Sequence, residues 1–385
     1  MIYLDYNAST PVDPRVTAAM DGADELFANP ASVQHLPGQA AAEAVEHARH
    51  RVASLVSRPA RDVVFTSGAS EAATIGLLGA MLADPLRPNV VVTDTEHKAV
   101  LAAASLGARL TGGSVRSVRV RGDGTVDVDH LRDLIDSSVS VVAVMAANNE
   151  TGVLGPKAEV VSTAAHENGA LHFSDLTQLV GKADVKSDCG DIDIMVLSSH
   201  KIYGPKGGGA LIASRHVQKV LTPVVGGGGQ EHGLRGGTHN TQGIIGLGVA
   251  AELASEETAN DRIRITALKD RLLTGILEQV DDVTVNSKTA ECLSNTLNLH
   301  FAGADAESVM AVVPEVAMSA GSACQSAVPT PSHVLIAMGL SHQEAAESVR
   351  ISLGRPTTQA EVDEAVDLIA DAVAKVRRIS ARTGH

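Results

Sequence analysis

Five short stretches of the chain carry side chains whose types and spacing could do chemistry: Ser67-Gly-Ala-Ser70, Glu96-His97, Asn148-Asn-Glu150, Asp175 with Gln178, and Ser198-Ser-His-Lys201. A small-residue turn that opens a helix leaves backbone N–H groups unpaired at a positive dipole end, which suits a phosphate. A lysine can condense with an aldehyde, a histidine can move protons near neutral pH, and an aspartate can keep a heterocyclic nitrogen protonated. Each has an ordinary explanation when taken singly. Ser67-Gly-Ala-Ser70 reads as an N-cap with a turn glycine, Asp175 as a helix cap, His97 as a surface histidine, and Lys201 as one of two exposed lysines in Ser198-Ser-His-Lys-Ile-Tyr-Gly-Pro-Lys206.

The elements that must position these residues change the weighing. Short β-branched runs at 63–66, 89–93, 139–145, 171–174, 192–197 and 209–213 alternate with Ala-rich amphipathic segments such as 38–57. This is the rhythm of an α/β unit with a mainly parallel sheet. The chemistry-bearing residues follow the strands one after another, and in such sheets the crevice at the carboxyl ends of the strands is where ligands bind. A lysine, an aspartate and a phosphate cup on one sheet edge fit pyridoxal phosphate. The lysine would form a Schiff base with the aldehyde, the carboxylate would hold the pyridine nitrogen protonated, and the cup would anchor the phosphate.

Beyond the Gly226–Gly229 run, a helix is expected over 243–262, and after it the pattern changes to strands near 283–285 and 294–301 and a long last helix. Thr358-Gln-Ala-Glu361 is a capping box, and Val362, Val366, Ile369, Val373 and Val376 form one apolar stripe. Two units are expected: a large α/β domain over 13–262, and a smaller α+β domain made of 1–12 and 263–385. A length of 385 residues suits two domains at ~100–200 residues each. With 31 basic and 45 acidic residues, 2% aromatics and no Trp, direct nucleic-acid binding is not expected. No signal peptide or membrane-length apolar run is expected either, so the reading is a soluble cytoplasmic protein. Cys189, Cys292 and Cys324 are too scattered for a disulfide framework or a CxxC metal site, and no metal is expected.

Nearly end to end, the chain resembles the cysteine desulfurases of the NifS/IscS type, within the class V aminotransferases of fold type I. The resemblance rests on Tyr3-Leu-Asp-Tyr-Asn-Ala-Ser-Thr-Pro11, Asn29-Pro-Ala-Ser32 with His35, Phe65-Thr-Ser-Gly-Ala-Ser-Glu71, Glu96-His97, Asn148-Asn-Glu150, Asp175-Leu-Thr-Gln178, Ser198 to Gly207, Leu234-Arg-Gly-Gly-Thr238, Ser322-Ala-Cys324 and Ser352-Leu-Gly-Arg355. It implies a seven-stranded, mainly parallel sheet in the large domain. It also implies Lys201 as the Schiff-base lysine, Asp175 at the pyridine nitrogen, Gln178 at the ring's phenolic oxygen, and His97 stacked on the ring and moving protons. Ala69, Ser70, Ser198 and His200 would hold the phosphate with Thr238 from a second subunit of a homodimer, and Arg355 and Asn149 would bind the substrate carboxylate.

Cys324 stands in a loop of small residues and prolines, about 320–331, whereas Cys189 and Cys292 read as small buried hydrophobes. In the family this cysteine takes sulfur from L-cysteine as a persulfide, leaving L-alanine, and passes it to an acceptor protein; His97 is the expected acceptor of its proton. A selenocysteine lyase, a transaminase or a catalytically silent cofactor-binding scaffold are the rival readings. Ala72-Ala-Thr74, Ser199 and Glu231-His-Gly233 depart from the family pattern and mark a divergent branch, and no long scaffold-docking tail is expected beyond the last helix. The acceptor stays open among iron–sulfur assembly, tRNA thiolation, DNA sulfur modification and thio-cofactor or natural-product pathways.

Overall fold

The computed structural model describes residues 1–185, 189–320 and 331–383. Cys324 and nearly all of its expected loop lie outside the described residues. The large sheet has seven strands: β1 (Val63–Thr66), β2 (Asn89–Thr93), β3 (Val115–Val118), β4 (Val139–Ala143), β5 (Leu171–Asp175), β6 (Ile194–Ser198) and β7 (Gly209–Ala213), in the order β1-β7-β6-β5-β4-β2-β3. Neighbours from β6 to β3 run parallel, and β7 is antiparallel to both β6 and β1.

Both faces are covered, which is why the strands read as near-continuous apolar runs. Met195 and Leu197 enter one core with the helices Leu36–Leu55 and Thr241–Gln279, while Ile194 and Val196 enter the other with the helix Ala69–Ala83. The strand β3 was not foreseen. It is an edge strand in which Val118 alone is buried, so Arg116 and Ser117 hide it in sequence.

The helix expected over 243–262 instead spans Thr241–Gln279, 39 residues. Its apolar stripe lapses after Ala254 and resumes at Ile265, Leu268, Leu272 and Ile276, which enter a different core. The polar middle, Ser255 to Arg264, remains helix-permissive, so one helix runs through the expected boundary and serves two cores.

That second core lies on an antiparallel sheet of β8 (Val283–Val285), β9 (Thr296–Phe301), β10 (Ser319–Ala320) and β11 (Ser348–Ser352), ordered β10-β11-β9-β8. The helix Gln359–Thr383 buries Val362, Val366, Ile369, Val373 and Val376 against it. The capping box forms: Thr358 N–H donates to Glu361 Oε2 at 2.8 Å, and Glu361 N–H to Thr358 Oγ1 at 3.2 Å. Ile2 and Leu4 join this core, with Ile2–Tyr3 pairing parallel to Val316–Ala317. Both ends of the described chain thus contribute to this second core. Among the described residues no helix is long and apolar enough to cross a membrane.

Candidate active site

β1 and β6 end opposite the same residue, since Thr66 and Ser198 both pair with Gly209. A Cβ on Gly209 would stand 2.6 Å from the Gly68 Cα, so only glycine there lets the turn after β1 settle on the sheet. Gly68, at φ +155°, leads into the helix Ala69–Ala83 without any side-chain cap bond, which leaves the first-turn N–H groups of Ala69 and Ser70 for an outside acceptor. Glu71 does not compete: its carboxylate takes the Ser67 N–H and Arg235 Nε, the latter at 3.0 Å. Ala69, Ser70, Ser198, His200 and Lys206 line one cleft of about 700 Å³.

The same cleft is lined by Lys201, Asp175, Gln178, His97 and Asn149, so the strand-end residues do converge. Lys201 follows β6 in a single 3-10 turn, Ser199–Lys201. Its Nζ donates to the carbonyl oxygens of Asn7 at 2.5 Å and Ala8 at 2.7 Å. Burial, then the Arg350 charge, pulls its pKa down to about 8, partly offset by Asp5 and Asp175. Asp175 closes β5 at 8% exposure, with Oδ1 accepting the Thr177 N–H at 2.8 Å. Gln178 Nε2 donates to the Asn7 carbonyl at 3.0 Å. Asn7, 1% exposed, was not singled out from sequence as a site residue, yet its carbonyl serves both Lys201 and Gln178.

His97 caps the helix Lys98–Thr111, its Nδ1 accepting the Ala99 N–H at 3.1 Å. With Nδ1 so engaged, a neutral ring carries its proton on Nε2. Burial, and then the neighbouring Lys201, His333 and Lys98 against the pull of Asp175, lowers its pKa, favouring that neutral form. His97 lines the cleft in that form with its proton on Nε2, and the thiol of Cys324, whose proton it is expected to accept, lies outside the described residues. Two neighbouring carboxyls are buried and pushed up by desolvation: Glu96 to about 8 and Glu150 to about 7. Glu96 Oε1 accepts the Met145 N–H at 2.6 Å and Thr93 Oγ1 at 2.9 Å. His200, accepted or donated to by Ser9 Oγ at 3.2 Å through Nδ1, is pushed down to about 4 by burial and the nearby lysines.

Arg355 requires a correction. It does not line the cleft; its Nε donates to Asp261 at 2.8 Å, Nη1 lies 3.1 Å from Glu257 and 3.3 Å from Asp13, and the guanidinium stacks 4.4 Å over the Tyr203 ring. Three carboxylates hold it, leaving no fork for a substrate. The guanidinium that does line the cleft is Arg350, on β11. It is 6% exposed, donates from Nη1 to the Asn149 carbonyl at 3.0 Å and from Nη2 to Asp5 at 2.6 Å, and its buried Nε has no partner among the described residues. A signal for it existed: Val349 and Ile351 belong to the apolar core, so the alternation of β11 turns Ser348, Arg350 and Ser352 to the other face. Thr238 is exposed and lies outside this cleft. Cys189 is buried in the core, and burial raises the Cys292 thiol, which lies 3.4 Å from Ser287 Oγ; neither is at the cleft.

The residues present fit pyridoxal phosphate. An uncapped helix start beside Ser198 and His200 supplies donors for a phosphate, a nearly buried carboxylate faces them across the cleft, and a lysine with a lowered pKa supplies the amine.

The model of the aminotransferase class-V family matches residues 2–365. A cysteine desulfurase from Frankia sp. (strain EuIK1) is 48% identical over 396 residues, covering 100% of this chain and 94% of its own. Among solved structures, a NifS-like protein superposes with a TM-score of 0.88 at 30% identity, covering 97% of this chain and 99% of that one. SspA, solved in complex with cysteine, gives 0.80 at 32% identity, covering 92% and 99%. The expected α/β fold, with its seven-stranded sheet, is that of these neighbours. The chain belongs to the class-V aminotransferase family, among its cysteine desulfurases of the NifS/IscS type.

Proposed function

We propose that this chain is a homodimeric, pyridoxal-phosphate-dependent cysteine desulfurase, which converts L-cysteine to L-alanine and leaves sulfane sulfur on Cys324 for an acceptor protein. The observation that carries the reading is the convergence of Lys201, Asp175, Gln178, His97 and Arg350 on one cleft beside an uncapped helix start. When bound, pyridoxal phosphate supplies an aldehyde for amine condensation and a protonated ring that draws electrons from the substrate Cα.

The rest falls to this chain's own residues. Ala69, Ser70, Ser198 and His200 hold the phosphate, joined by Thr238 of a second copy. Asp175 keeps the ring nitrogen protonated, and Gln178 donates to the phenolic oxygen. Arg350, with Asn149 beside it, grips the substrate carboxylate through N–H groups not used on Asp5 and the Asn149 carbonyl. The Lys201 amine, a base near neutral pH because its pKa is down at about 8, takes the Cα proton. The Cys324 thiolate then attacks the substrate sulfur. A sulfur–sulfur bond forms, the Cβ–sulfur bond breaks with its electron pair left on carbon, and protonation of that carbon gives the methyl of alanine. His97, which lines the same cleft with its proton on Nε2 in the neutral form, supplies that proton in this reading. A thiol that must stay reduced between turnovers suits a cytoplasmic setting.

The test compares Lys201→Ala and Cys324→Ser with the wild type. Lys201→Ala should lose the visible absorption band and all turnover. Cys324→Ser should keep the cofactor, still change spectrum on adding cysteine, and form alanine only at background, because a serine hydroxyl is not ionised near neutral pH. Brief exposure of the wild type to cysteine should add one sulfur to the peptide bearing Cys324 and none to those bearing Cys189 or Cys292. Full activity in Cys324→Ser would put a lyase in place of the desulfurase, and no alanine from the wild type would leave a silent scaffold.

A further inference from the structure

Four residues beyond Gln178, a second lysine enters the same hydrogen-bond network. Lys182 Nζ donates to Gln178 Oε1 and, at 3.1 Å, to Asn7 Oδ1. Asn7 is fixed in turn: its Oδ1 also accepts from Asn295 Nδ2 at 3.0 Å, and its Nδ2 donates to Thr296 Oγ1 at 2.9 Å. Because Gln178 Nε2 donates to the Asn7 carbonyl, Lys182, Gln178 and Asn7 close a ring of bonds directly behind Lys201. Burial, together with Lys201 and Arg350, holds the Lys182 amine well below its ordinary pKa.

The two ends of the Gln178 amide are not equivalent. The Asn7 carbonyl can only accept, so it requires Nε2, and the Lys182 donor gives the oxygen its partner. Gln178 is 5% exposed, so without Lys182 its oxygen would be buried without a donor, a cost relieved by turning it into the cleft at the expense of the Asn7 bond, since the Asn7 carbonyl keeps Lys201 Nζ as a donor. There it would meet the cofactor's phenolic oxygen acceptor to acceptor. We propose that Lys182 is a positioning residue that keeps the Gln178 amide with its N–H, and not its oxygen, toward the cleft. The inference rests on the pyridoxal phosphate reading given above.

A donor to the phenolic oxygen stabilises its anionic form and loosens its hold on the proton it shares with the nitrogen of the Lys201 link. Losing that donor should raise the pH midpoint of the visible band. The charged and titratable groups around Lys201 are Arg350, Asp5, Asp175, His97, His200 and Lys182 itself, and only the last is altered by Lys182→Met, which is why the double variant is needed to separate its charge from its hold on Gln178.

The experiment titrates the visible band of the cofactor-loaded protein in the wild type, Lys182→Met, Gln178→Ala and the double variant, with the cofactor dissociation constant measured alongside. Lys182→Met should raise the midpoint by about one pH unit. Gln178→Ala should do the same, and the double variant should move no further than either. An unmoved midpoint in Lys182→Met overturns the inference, and so does a shift that persists in full in the Gln178→Ala background, which would make Lys182 act directly through charge. Lys182→Gln, too short to span both acceptors, repeats the measurement if the methionine variant does not fold. Failure of both to fold assigns Lys182 to structure alone and also overturns it. A loaded wild type with no pH-dependent visible band refutes the pyridoxal reading itself, a separate result.

Discussion

Arg350 and Arg355 stand five residues apart, and exchanging each for lysine separates a substrate ligand from a structural clamp. Arg350→Lys keeps a positive charge beside Lys201, so the amine's lowered pKa should survive, and what is lost is the planar fork. One charge-assisted hydrogen bond is worth ~1.5–3 kcal/mol, which predicts a fall in kcat/KM of roughly 10- to 150-fold. Arg350→Ala removes both arms and the charge, and should cost about 10²- to 10⁴-fold. Arg355→Lys should stay within ~3-fold of wild type in kcat/KM, while the Asp13, Glu257 and Asp261 carboxylates keep a positive charge but lose the planar fork that joins them, and the chain loses ~1–2 kcal/mol of stability. The assay is alanine formed from cysteine at matched cofactor content, with a thermal melt of each variant. A large loss of kcat/KM in Arg355→Lys with an unchanged melt, or wild-type kinetics in Arg350→Lys, would refute the assignment.

Three further outcomes follow from the same geometry. The rate at which cofactor-free protein takes up pyridoxal phosphate should rise with pH and reach half its maximum near pH 8, where the buried Lys201 amine deprotonates; a midpoint above 10 in stopped-flow absorbance would show an ordinary lysine. Buried His172 is pushed down to about 3 by desolvation, so the unfolded chain binds the extra proton below about pH 6.5 and the folded chain does not. Urea-unfolding free energy should therefore decline as pH falls from about 6.5 toward 3, and His172→Gln should flatten part of that decline; parallel curves for the two proteins would argue against it. Thr238→Ala should weaken cofactor retention in the dimer roughly 10- to 150-fold, and a monomer that keeps its cofactor would exclude a contribution from a second copy.

Much of the cleft could be read from order along the chain, because in a parallel sheet the residue after each strand arrives at one edge whatever the packing beneath. That is how Lys201, Asp175 and His97 could be grouped before any coordinates. Arg355 went astray for the opposite reason: its partners Asp13, Glu257 and Asp261 come from distant helices, and no local pattern announces them. Arg350 was readable from the period of β11, between the core residues Val349 and Ile351. Asn7 carried no such mark, since its importance lies in a backbone oxygen, and every residue has one. The helix Thr241–Gln279 overran its expected end because a solvent-facing polar stretch resembles a terminus when only its apolar stripe is followed.

The amino-terminal strand has a consequence for the order in which the protein is made. Ser352 N–H donates to Leu4 O at 2.7 Å, Tyr6 N–H to Ser352 O at 3.2 Å, and Asn7 N–H to Ser352 Oγ at 2.9 Å, a pairing that spans 345 positions. Residues 4–7 are thus held by a strand made some 345 positions later. At ~5–20 residues per second, the Asn7 carbonyl waits roughly 20 to 70 s for the strand that fixes it. From its own synthesis until β11 emerges, Lys201 lacks the fixed acceptor that orients it and both the burial and the Arg350 charge that lower its pKa. The cofactor site is in this way assembled only once β11 has been made, and a nascent fragment that stops short of β11 should take up pyridoxal phosphate no better than an ordinary surface lysine does.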